Sequence, residues 1–155
     1  HLDADVKVPA GETRAFSFTN LGGAANWNNY VVVLRNAALA EYVVVRSDNY
    51  GWTGDNSGPY GWKNCTAGST GAADWATWLA GMNGAKVVVY VTNNNNGTAD
   101  VLAITTGTDG KVNTQYYYGI DGVVANDLFV DFTVDSSCLK FDTAASARKY
   151  SARRR

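Results

Sequence analysis

Histidine occurs once, at position 1, and glutamate only twice, as Glu12 and Glu41, in a chain of 155 residues. A lone imidazole excludes a Ser-His-Asp triad and zinc held by several histidines. An amino-terminal histidine on a β-sandwich could suggest a copper-binding brace, but that brace requires a second histidine. His1 therefore reads as a tag or processing remnant, and His1-Leu2 is not a natural translation start. Glycoside hydrolysis ordinarily needs two carboxyl groups flanking the scissile bond. Here Glu12 precedes one strand and Glu41 opens another, while the twelve aspartates are scattered through turns without a paired strand motif. The chain is thus expected not to be an enzyme; a β-sandwich glycan-active enzyme using aspartates is the alternative. Gly-rich phosphate loops on a strand-to-helix turn and CxxC pairs are also missing. Cysteine is limited to Cys65 and Cys138, which allow one disulfide or two thiols. No apolar run approaches the roughly 18 to 20 residues of a membrane-spanning helix, so a soluble domain is expected.

Proline (2 residues), methionine (1) and charge (17% of residues) are scarce, while Gly, Asn, Thr, Val, Tyr and Trp are abundant. β-Branched and aromatic residues suit a pleated, half-buried surface, so the composition predicts an all-β, mostly antiparallel protein. Strands are read over residues 4–8, ETRAFSFTN, YVVVLRN, EYVVVR, AKVVVYVT, TADVLAITT, VNTQYYYGI, 127–134 and 137–141. Asn93 to Gly97 and Thr108 to Lys111 supply hairpin turns, and NCTAGSTGAA reads as loop. Trp75, Trp78 and Leu79 fall at i, i+3 and i+4, predicting one short helix over residues 75–82 after Asp74. Eight or nine strands at this spacing predict a two-sheet antiparallel β-sandwich, or jelly roll, over residues 1–142. Residues 143–155 read as a flexible basic tail or linker remnant. Residues 1–142 carry 8 basic and 14 acidic residues, a balance of −6 that argues against a nucleic-acid partner.

The stretch from Glu41 to Trp62 concentrates the chemistry. With period-two alternation, Arg46, Asp48, Tyr50 and Trp52 share one face, and the Gly-rich loop beyond adds Tyr60 and Trp62. Large rings beside hydrogen-bonding groups suit a sugar, whose C–H faces stack on aromatics while its hydroxyls need placed polar partners. In NTQYYYGI, Asn113, Gln115 and Tyr117 fall on one face and Tyr116, Tyr118 and Ile120 on the other, read as the apolar one. Gln115 with Tyr117 is the expected second wall of a cleft. No cofactor is expected, although Asp3, Asp5, Asp135 and Asp142 are placed to hold a structural calcium near the ends of the fold.

The run of FSFTN, NWNNYVVVL, EYVVVRSDNYGW, WATWLAGMNGAKV, VTNNNNGTADVLAITTGTDGK and DLFVDFTVD resembles the jelly-roll modules appended to bacterial plant-polysaccharide hydrolases. It is most similar to carbohydrate-binding module family 65 and its relatives, over about residues 4 to 142. That resemblance implies a non-catalytic module that binds plant β-glucans such as xyloglucan, mixed-linkage β-glucan or glucomannan. It further implies a monomer, secreted or at the cell surface, covalently joined to a catalytic domain, with Trp52 and Trp62 stacking on the sugar and Gln115 meeting hydroxyls. A cell-surface adhesion or assembly domain recognising protein is the third expectation.

Overall fold

The computed structural model describes residues 2, 4–21, 30–46, 65–70, 83–133, 139–141 and 148–151, of which 41, 43–46, 67–70, 133, 139–141 and 148–151 are described by backbone alone. Eleven strands are present among them: β1 (Val6–Lys7), β2 (Glu12–Asn20), β3 (Val31–Arg35), β4 (Glu41–Arg46), β5 (Thr66–Thr70), β6 (Lys86–Asn93), β7 (Thr98–Thr106), β8 (Val112–Asp121), β9 (Phe129–Thr133), β10 (Leu139–Phe141) and β11 (Arg148–Ser151). They form an all-β sandwich of two antiparallel sheets, one ordered β1-β9-β3-β4 and the other β10-β2-β6-β7-β8-β5, with β11 also pairing with β2. Two strands were not expected. β5 lies in the segment read as loop, because Thr, Ala, Gly and Ser carry too little apolar alternation to mark it. β11 lies in the segment read as a flexible tail, and takes an edge position whose backbone pairing needs no apolar face. The expected helix at 75–82 lies outside the described residues.

Alternation along the long strands builds the core. Phe16 and Phe18 of β2 are opposite Val89 and Val87 of β6, and Val91, Val89 and Val87 are opposite Val101, Ala103 and Thr105 of β7. The smaller sheet answers with Val32 and Leu34 of β3 and with Val130 and Phe132 of β9, all buried. Phe132 locks the two layers: its ring meets Phe16 at 5.0 Å and Phe18 at 5.5 Å edge-on, while Phe18 meets Tyr30 at 5.0 Å. Such edge-to-face pairs add about 0.5–1.5 kcal/mol beyond burial.

Polar groups tie down the ends. Asn93, buried where β6 leaves the sheet, donates from Nδ2 to the carbonyls of Val8 (3.1 Å) and Ala125 (2.5 Å). Asp131 faces outward from β9 yet is only 2% exposed. Its Oδ2 accepts from Arg35 at 2.7 Å and its Oδ1 from the Leu2 amide at 2.8 Å, while Arg35 also reaches Asp5 at 3.2 Å. Asp5, one of the four aspartates read as calcium ligands, is therefore engaged with an arginine; Asp3, Asp135 and Asp142 lie outside the described residues.

Candidate functional site

The outward face of the larger sheet is assembled by strand register. Ala15, Tyr90, Leu102, Tyr116 and Gly68 are successive cross-strand partners from β2 to β5, and Ser17, Val88, Ile104 and Thr114 form the next row. Phase follows from the core: since Val87, Val89 and Val91 point inward, Val88 and Tyr90 point outward. Tyr116 and Tyr118 stand two residues apart on β8 and so share this face. Their rings stack at 5.0 Å with 26° between planes, and Tyr118 is 38% exposed. Burial raises the Tyr118 phenol above its ordinary pKa, with the neighbouring Tyr116 adding to the effect. At about 4.8 Å per strand, Tyr90 lies roughly 10 Å from Tyr116 across the sheet, with Leu102 between them. Gly68 opposite Tyr116 offers no side chain to cover that ring.

A bulge sets the limit of this surface. Val101 pairs with Tyr117 and Ala99 with Ile120, so Asp100 alone is opposite two residues, Tyr118 and Gly119. Gly119 takes a positive φ of 75°, a conformation open to glycine at little cost. Asp100, 6% exposed, stabilises the irregularity: its Oδ1 accepts from the Gly119 amide at 2.9 Å and from Asn94 Nδ2 at 2.8 Å. The extra residue lets Tyr117 and Ile120, three apart, both enter the core. It also holds Tyr118 directly beside a fixed backbone.

The face is bordered by polar side chains. Thr66, exposed, is opposite Tyr118, and Lys86 donates to Thr19 Oγ1 at 2.7 Å at the far end. Flat rings with hydroxyls alongside can stack on the C–H face of a sugar and bond its hydroxyls. The Asp100 carboxylate is committed to the bulge.

The expected cleft is corrected in two ways. Asn113, Gln115 and Tyr117 do share one face, but it is the inward one: Gln115 and Tyr117 are each 3% exposed, and Tyr117 belongs to the core between the sheets. Of Tyr116, Tyr118 and Ile120, expected on the apolar face, only Ile120 belongs to the core. That parity holds for Tyr116 and Tyr118 as a pair but is broken before Ile120 by the bulge. Second, Arg46, the one described residue of the other expected wall, ends β4 in the smaller sheet, whereas β8 belongs to the larger. Register places Arg46 opposite Val31. Asp48, Tyr50, Trp52, Tyr60 and Trp62 lie outside the described residues, as does Cys138; Cys65 is half-buried against the core. Tyr90, Tyr116 and Tyr118 were missed, although tyrosine in preference to phenylalanine and the glycine after Tyr118 both signal a wet face and an irregular strand.

Inside the sandwich, Thr105 and Asn113 are paired across β7 and β8, and both are buried. The Tyr30 hydroxyl lies beside Thr105 without a well-formed hydrogen bond, and burial pushes it well above the usual phenol range. No protein-family model, curated protein or solved structure matches this chain.

Proposed function

We propose that this domain is a non-catalytic carbohydrate-binding module that holds a soluble plant β-glucan on the outward face of its larger sheet. The observation that carries this reading is the Tyr116–Tyr118 stack, with Tyr118 exposed and Tyr116 half-buried, beside Leu102 and Tyr90 and edged by threonines. Stacking supplies the affinity, because sugar hydroxyls exchange water for protein partners at a net gain of only about 0.5–1.5 kcal/mol per bond. Xyloglucan, mixed-linkage β-glucan and glucomannan are the candidate ligands, and Trp52 and Trp62 are proposed to add stacking surface. Such polymers are met outside the cell, so the reading carries a secreted or surface location and attachment to a hydrolase.

Affinity electrophoresis in gels containing xyloglucan, barley glucan, glucomannan or xylan tests it. Retardation by at least one glucan, lost in Tyr118→Ala, is expected. Unretarded migration of the native chain in all four gels overturns it, and release of reducing sugar would replace it with the enzymatic reading.

A further inference from the structure

The sequence holds two Asn-Gly pairs, Asn83-Gly84 and Asn96-Gly97, both in exposed turns. Their surroundings are opposite. The Gly84 amide is occupied: it donates to the Asn20 carbonyl at 2.8 Å, and a side chain there would meet Thr108 at 3.2 Å. The Gly97 amide makes no hydrogen bond among the described residues, and nothing lies within 4 Å of where its Cβ would be. The side-chain carbonyl of Asn96, by contrast, is gripped. Oδ1 accepts from the Thr98 amide at 3.1 Å and from the Thr98 hydroxyl at 2.7 Å. That hydroxyl is itself aimed by Asn94 Nδ2, which donates to it at 3.0 Å. The loop is closed by the Asn94 amide on the Thr98 carbonyl at 3.1 Å, with Asn95 at φ 59° and Gly97 at φ 86°.

We propose that Asn96 is a site of spontaneous, fold-assisted deamidation, and that Asn83 is protected from the same reaction. The Gly97 nitrogen attacks Cγ of Asn96, forming a new C–N bond and placing negative charge on Oδ1. Two donors already aimed at that oxygen stabilise the charge as it develops, which is the arrangement of an oxyanion hole in a solvent-exposed setting. Holding nucleophile and carbonyl in one short loop removes part of the orientational barrier. The C–NH2 bond then breaks, the proton from the Gly97 nitrogen leaves with the departing ammonia, and a succinimide remains. Solvent water opens either carbonyl of that ring, giving aspartate or isoaspartate at position 96. The isoaspartate route inserts a methylene into the main chain of the β6–β7 hairpin. At Gly84 the attacking nitrogen would have to give up its bond to Asn20 first.

Peptide mapping by mass spectrometry, after incubating the folded chain at mildly alkaline pH, reads both sites together. The Asn96 peptide is expected to gain 1 Da on the order of tenfold faster than the Asn83 peptide, a difference of about 1.4 kcal/mol in barrier. In concentrated urea the two rates converge. Thr98→Val, which keeps the amide but lacks the hydroxyl, slows Asn96; Thr98→Ser restores it. Equal rates in the folded chain, a difference that persists in urea, or a Thr98→Val rate equal to native would each overturn the proposal. Circular dichroism of each variant shows that the sandwich is retained.

Discussion

Tyr117 and Tyr118 are adjacent in the chain and do opposite work. Tyr117 fills space between the sheets, so Tyr117→Ala is expected to cost about 3–5 kcal/mol in urea unfolding, in the range of other buried ring truncations. Tyr118→Ala is expected to shift unfolding by less than about 1 kcal/mol while abolishing retention by glucan. Equal stability losses in the two variants would contradict the assignment of faces. Tyr30 makes a second residue-scale prediction. Its buried phenol has a folded pKa above the ordinary value of 10.0. The folded state therefore holds that proton more tightly, and stability is complete below about pH 10 and falls as pH rises towards the folded value. Tyr42 and Tyr118, also raised, act in the same direction. Urea midpoints between pH 8 and pH 11 should fall more steeply for the native chain than for Tyr30→Phe. Phe16 and Phe18 were legible as one face of an alternating strand, and Val87 to Val91 as strand. Tyr117 was not, since a tyrosine beside a glutamine reads equally as cleft lining or as core.

The elements differ in how openly their sequences declare them. β6, β7 and β8 combine β-branched or aromatic alternation with Asn-Gly and Asp-Gly turns, and their order and pairing follow directly. β5 and β11 are held by backbone pairing with β8 and β2, and that kind of stabilisation leaves no periodic trace. Sheet membership was equally hidden: β3 and β4 are apolar except for Arg35, Glu41 and Arg46 at their ends, and nothing in that run says which layer receives them. The clasp of Arg35 on Asp131 and Asp5 joins β3, β9 and the residue that leads into β1. Hydrogen bonding to Asp131 raises the pKa of Arg35, so the guanidinium is charged at every accessible pH. Arg35→Met leaves Asp131 buried without its cation, and is expected to lower stability by about 3–5 kcal/mol. A loss below about 1 kcal/mol in chemical unfolding would mean that the amides of Leu2 and Phe132 suffice for that carboxylate.

For the molecule as a whole, charge decides what kind of partner fits. An acidic body and a neutral aromatic face should bind an uncharged polymer with little dependence on ionic strength. A polyanionic partner drawn by the basic C-terminal residues would instead lose affinity steeply with salt, as counterion release requires. Isothermal titration against the retained glucan, at low and at high sodium chloride, is expected to give the same affinity within about twofold. The arrangement of the larger sheet has one more outcome. β10 and β11 share the far edge of β2, whereas Tyr116 and Tyr118 stand on β8 near the opposite edge. From β11 to β8 is four strand spacings, about 19 Å. Cargo fused behind Ser151, whether a fluorophore or a second protein, would hang from the margin away from the rings. The domain can thus be tethered by that end with the Tyr116–Tyr118 pair at the opposite side of the sheet.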